Sequence, residues 1–165
     1  MIKKADENMT SVKPVPDGYH TVTPYILVQG AGQLIDFIKK AFDGNEAELI
    51  SMPDGTIGHA EIRLGDSVIM VSDARGEDYK PMPTGIYLYV EDCDATYERA
   101  LQAGATSLMK PMDRFYGDRS AGVKDQFGNQ WWIATHTEDL SPQEYAKRKE
   151  DFMKEQKEKQ EQNQH

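Results

Sequence analysis

The stretch from Ile57 to Ser72, IGHAEIRL then GD then SVIMVS, alternates apolar and polar residues on either side of a Gly65-Asp66 turn. That is the pattern of two antiparallel strands with one packed face. In the first of them Ala60, Ile62 and Leu64 share one face, and His59, Glu61 and Arg63 share the other. Upstream, residues 21–28 (TVTPYILV) read as a strand and residues 31–42 (AGQLIDFIKKAF) as a helix with Leu34, Ile35, Ile38 and Phe42 inward. Residues 47–52 (AELISM) read as a strand that turns at Pro53-Asp54-Gly55. Downstream the same order returns: a strand over 85–90, a helix from Asp94, a strand over 105–111, and a longer strand region after Phe115. A turn at Phe127-Gly128-Asn129 then leads into QWWIATH, residues 130–136. Val28 falls opposite Val90 and Gly65 opposite Gly128, offsets of 62 and 63, so a βαβββ unit occurs twice.

Two helices cannot cover both faces of eight strands. The expected fold is therefore α+β, with modules at 21–75 and 84–136. Each module's sheet bends into a half-barrel with its helix on the convex side, and the concave faces line a cleft. Residues 1–20 are polar and read as a flexible arm. Ser141-Pro142-Gln143-Glu144 is a capping box with proline at the first helical position, so residues 137–165 are expected to hold a charged C-terminal helix whose end frays.

The 165 residues, 18.7 kDa and 38% hydrophobic, suffice for one core. With 28 acidic against 19 basic residues the net charge is −9, which argues against nucleic-acid or anionic-membrane partners. The segment 137–165 holds eight acids and six bases, so most of the acidity lies in residues 1–136. Apolar runs fall far short of the ~20 residues of a membrane helix, and the single cysteine, Cys93, excludes an internal disulfide and a cysteine zinc cluster. These features fit a reducing, cytoplasmic setting. Cys93 lies between Asp92 and Asp94, which raises a thiol pKa and argues against a nucleophile. Gly30-Ala31-Gly32 lacks dinucleotide-binding spacing.

With TPYILV…IDFIKKAFDG, IGHAEIRLGDSVIMVSD, LYVEDCDATYERALQAGA and FYGDRSAGVKDQFGNQWWIATH, the chain resembles the vicinal oxygen chelate superfamily, the glyoxalase and bleomycin-resistance group. More narrowly it resembles the PhnB-like branch. The resemblance spans about Thr21 to His136. It implies a glyoxalase-like cleft, often completed by a second copy in a homodimer. It also implies a divalent metal held by one residue on the first and one on the last strand of each module. Those positions fall near Thr23, Ile69, Gly85 and Trp132, none a ligand suited to Zn²⁺, Fe²⁺ or Mn²⁺. No cofactor is therefore expected.

His59 and Glu61 lie two apart on one strand, roughly 6.5 to 7 Å along the same face. They read either as metal donors or an imidazole with its orienting carboxylate, or as a solvent-facing pair supporting Arg63. Trp132, Ala134 and His136 share a face, with Trp132 as an aromatic wall, and Trp131 faces the core. His136 reads as cleft lining or as a strand-end surface histidine. In Phe115-Tyr116-Gly117-Asp118-Arg119, the guanidinium of Arg119 could hold an anion while Tyr116 stacks on it. Alternatively, Asp118 and Arg119 pin the loop. The leading expectation is a metal-independent binder of a small anionic or aromatic molecule, lined by His59, Glu61, Tyr116, Asp118, Arg119, Trp132 and His136. The alternatives are a metal-dependent lyase or dioxygenase-type enzyme with a displaced site at His59, Glu61 and His136, and a protein-interaction module with a vestigial cleft.

Overall fold

The computed structural model describes residues 12–163. The first module runs β1 (Tyr25–Val28), α1 (Ala31–Phe42), β2 (Asn45–Ser51), β3 (Ile57–Leu64) and β4 (Ser67–Asp73). The second runs β5 (Gly85–Tyr89), α2 (Cys93–Gln102), β6 (Thr106–Asp113), β7 (Asp118–Lys124) and β8 (Gln130–His136). The helix α3 (Pro142–Gln162) closes the chain. The two sheets have equivalent orders, β1-β4-β3-β2 and β5-β8-β7-β6. In each, the first and last strands are parallel and the other pairs antiparallel. The α+β expectation of two βαβββ modules holds.

Each helix packs on one face of its own sheet, and α1 and α2 pack on each other. The helix-bearing faces therefore look toward one another, and the two helix-free faces look outward. The seam is made by Trp131 of β8. Its fully buried indole lies 4.8 Å from the ring of Phe42 and 6.2 Å from that of Phe37, both on α1. A buried indole needs a partner for its N–H, and Nε1 donates to Asp125 Oδ2 at 2.8 Å.

The start of α1 carries no side-chain cap of its own, because Gly30 stands at the N-cap with φ 105°. Asp73, at the end of β4, supplies the acceptor instead. Its Oδ1 takes the N–H groups of Gly30 and Ala31 at 2.8 and 2.9 Å, and its Oδ2 takes that of Ile57 at 2.7 Å. Burial works to raise the pKa of Asp73, but these bonds and nearby Arg75 outweigh it and hold the group below the usual carboxylate range. One carboxylate thus fastens helix to sheet and fills the helix N-terminus.

The described part of the arm, residues 12–20, forms no helix or strand and lies against the helix-free face of the first sheet. The Tyr19 hydroxyl donates to Glu61, and Arg63 Nη1 donates to Gly18 O at 3.2 Å. At the other end Ser141 caps α3 by accepting from Glu144 N at 3.1 Å. Phe152 stacks on Phe115 at 4.8 Å, with Tyr145 5.9 Å from the same ring. The helix continues to Gln162, where fraying was expected after the docked turns.

Trp131→Ala should cost about 3–5 kcal/mol of stability in urea unfolding, because it empties the seam between modules. Asp73→Asn should cost about 1–3 kcal/mol at pH 7, since its amide turns a donor or a weaker acceptor toward three N–H groups. The native pKa of Asp73 is depressed, so its charge stabilises above the unfolded value of about 3.9 and that contribution is lost as pH falls through the native value. The gap between wild type and Asp73→Asn should therefore narrow in urea melts below about pH 4. An equal gap at pH 7 and pH 3 contradicts this assignment.

Candidate functional site

Strict alternation along β8 sends Trp131 and Ile133 to the core and Trp132, Ala134 and His136 to the helix-free face of the second sheet. Trp132 pairs with Tyr87 of β5 and with Gly122 of β7. A Cβ on Gly122 would stand 2.6 Å from the Trp132 ring, so the glycine makes room for the indole to lie across the strand. Tyr87 and Tyr89, with ring centroids 5.4 Å apart, stand beside it at 47% and 67% exposure. Burial, and then a hydrogen bond with Tyr116, push the Tyr87 hydroxyl well above the usual tyrosine range, so it is a neutral donor. An outward aromatic group of this kind is unusual on a surface that meets only water.

Arg114 lies at the edge of this group. Its Nε donates to Ser120 Oγ at 2.7 Å, its Nη2 reaches the Met109 sulfur, and it has no carboxylate partner among the described residues. Asp118, 3% exposed, is held by the Tyr89 hydroxyl at 3.1 Å and by His136 Nδ1 at 2.8 Å. His136 Nε2 meets Asp139 Oδ1 at 2.9 Å, and the two carboxylates, Asp118 first, raise the imidazole pKa.

Arg119 stands elsewhere. It follows Asp118 directly in β7, so the two side chains leave on opposite faces. Its guanidinium meets Asp94 Oδ1 of α2 at 2.8 Å and Asp113 Oδ1 at 3.0 Å. Neither reading of the Phe115–Arg119 stretch describes Arg119, which pairs with Asp94 and Asp113 and not with Asp118 or the open face, whereas Tyr116 does reach the aromatic group through Tyr87. Arg114 was not singled out in the sequence. The signal available was its place at the end of a strand facing Ser120, visible only once the register is known.

The helix-free face of the first sheet is chemically different. His59 Nε2 lies 3.2 Å from Glu61 Oε1, and Tyr25 Oη lies 2.8 Å from Ser72 Oγ. Glu61 is 8% exposed. The Tyr19 hydrogen bond first, and His59 second, hold its carboxyl below the usual range against the opposing effect of burial. His136 does not join this pair. It sits on the other sheet, with both ring nitrogens engaged by Asp118 and Asp139, so the set His59, Glu61 and His136 is not assembled. Exposed Glu48 of β2 does join them, and the ligand atoms of Glu48, His59 and Glu61 all lie within 4.8 Å of one another.

The register also identifies the residues that first and last strands present on these faces. Among them are the directly paired Tyr25 and Met70 in one sheet and Tyr87 and Trp132 in the other, where the expected positions were Thr23 and Ile69, and Gly85 and Trp132. Ile69, 3% exposed, points into the core instead. Two phenols, a thioether and an indole are not a donor set for a divalent metal, so these four positions do not fit the ion that the resemblance implies. Cys93 is buried and its thiol is pushed up to about 11, by burial first and Asp94 next, which leaves it unreactive. The Gly30–Gly32 helix start is already occupied by Asp73.

Comparison with known proteins agrees with this architecture. The uncharacterized protein Mb0911c of Mycobacterium bovis is 34% identical over 133 residues, covering 74% of this chain and 88% of that protein. Among solved structures, TioX from Micromonospora sp. ML1 shares the fold with a TM-score of 0.59 and 24% identity, over 70% of this chain and 97% of TioX. A PhnB protein from Bacillus cereus does so with a TM-score of 0.58 and 17% identity, over 70% and 99%. The model of the Glyoxalase/Bleomycin resistance protein/Dioxygenase superfamily matches residues 19–133, through both modules, and the chain belongs to that family.

Proposed function

We propose that this protein binds a small aromatic molecule bearing a carboxylate or phosphonate on the helix-free face of its second sheet, without a metal at the four outer-strand positions. The observation that carries the reading is the grouping of exposed Tyr87 and Tyr89 with Trp132 on the face where Arg114, a guanidinium with no carboxylate partner among the described residues, bonds Ser120. Rings stack on rings, and a guanidinium recognises a planar anion with paired donors. The acidic body repels anions at long range, so a local cation is needed to hold one. Tyr87 and Tyr116 add hydroxyls at the rim, and Asp118 with His136 closes the polar side.

The same reading includes a second copy of the chain. Helices between the two sheets turn both helix-free faces outward, so one chain alone supplies only one wall to each cleft. A homodimer that sets the polar first-sheet face of one copy over the aromatic second-sheet face of the other closes both. A reducing, cytoplasmic setting suits a chain whose single cysteine is a buried thiol.

Thermal-shift measurements with naphthoates, benzoates and arylphosphonates should raise the melting temperature by mass action. Arg114→Met should weaken binding about 10- to 100-fold, the loss of a charged hydrogen-bonding group. Arg119→Met should leave the ligand-induced shift in place. A shift that survives Arg114→Met and disappears in Arg119→Met contradicts the site. Sedimentation equilibrium should give a particle of twice the 18.7 kDa chain mass, and a monomer at all concentrations contradicts the shared cleft.

A further inference from the structure

The first sheet carries a second constellation, and a strand irregularity builds it. In β2, Glu46 pairs with Ile62 but Glu48 pairs with Glu61, so a bulge at this point inserts one residue. Without it, Glu48 would share the face of Glu46, which lies toward α1 and meets Lys39 at 3.8 Å. The bulge turns Glu48 to the opposite face, beside His59 and Glu61. These are the only three His, Cys, Asp or Glu side chains among the described residues that converge in this way.

The charges there do not balance. Glu61 is buried, and its hydrogen-bond partners are the Tyr19 hydroxyl and His59, with no Lys or Arg among the described residues within ion-pair distance. Arg63, next along the same face, is directed at the Gly18 carbonyl. A second carboxylate, Glu48, faces it. Burying one carboxylate, Glu61, with a second beside it and no cation in contact is costly. The 3.2 Å between His59 Nε2 and Glu61 Oε1 is close to the roughly 3.3 Å between two ligand atoms of a tetrahedral ion with bonds of about 2.0–2.1 Å. The exposed Glu48 carboxylate lies within 4.8 Å of a ligand atom of each.

We propose that Glu48, His59 and Glu61 form a binding site for a divalent transition-metal ion of the Zn²⁺ or Mn²⁺ class. One imidazole and two carboxylates suit such an ion, and three protein ligands leave a coordination position for water or an incoming oxygen donor. Glu61 also lines a depression of about 430 Å³ together with Pro14, Pro16, Tyr19 and Met70. The site uses neither Tyr25 nor Met70 of the outer strands, and it does not rest on the ligand reading of the second sheet.

Isothermal titration of the untagged, chelator-stripped full chain with ZnCl₂, and separately with MnCl₂, tests this. At least one of the two should bind with one ion per chain at micromolar or lower Kd. His59→Ala should weaken that binding at least 100-fold and Glu48→Gln about 10-fold, while His136→Ala leaves it unchanged. Glu48 is exposed, so Glu48→Gln keeps the test valid if circular dichroism shows His59→Ala to be unfolded. The absence of binding by both ions overturns the site. So does an affinity unchanged in Glu48→Gln, or one lost in His136→Ala.

Discussion

The packing of Trp131 against Phe37 and Phe42 is the constraint on which the rest of the molecule depends. It joins the last strand of the second module to the helix of the first, and the bond from its Nε1 to Asp125 fixes how the indole sits. With that seam closed, α1 and α2 lie between the sheets and their helix-free faces are turned outward. The next residue, Trp132, must then leave on the open side, since neighbours in a strand point to opposite faces. One aromatic pair in the sequence therefore sets both the module interface and the character of the candidate site.

Duplication has produced two faces with one backbone plan and different chemistry. Tyr25 pairs with Met70 as Tyr87 pairs with Trp132. Around the first pair lie Glu48, His59 and Glu61, a set of oxygen and nitrogen donors. Around the second lie Tyr89, Tyr116 and Arg114, a set of rings with a guanidinium. A cation is thereby proposed for one sheet and an aromatic anion for the other.

Much of this was legible in the sequence. The near-constant offset between halves and the alternation in residues 57–64 and 130–136 defined the modules, placed Trp131 inside and put His59 beside Glu61. What was missed depends on register, where one residue changes the face. The expected strand region after Phe115 starts as β7 at Asp118, a register that the composition does not set, so Asp118 faces the site and Arg119 faces α2. For the same reason the outward position on β4 is Met70 and not Ile69. Glu48 was hidden by a bulge, which composition does not signal. The length of α3 was underread because its lysines, glutamates and glutamines are good helix formers, and pairs such as Glu144–Arg148 at 2.8 Å support it without a buried face.

The central claim, that adjacent tryptophans face a closed seam and an open site, can be measured directly because the chain has only two tryptophans. Full-length protein labelled with 5-fluorotryptophan should give two ¹⁹F resonances, assigned by Trp132→Phe. On transfer from H₂O to D₂O the Trp132 resonance should show a solvent isotope shift, and that of fully buried Trp131 should stay fixed. A shift at Trp131, or equal shifts at both positions, would contradict the account.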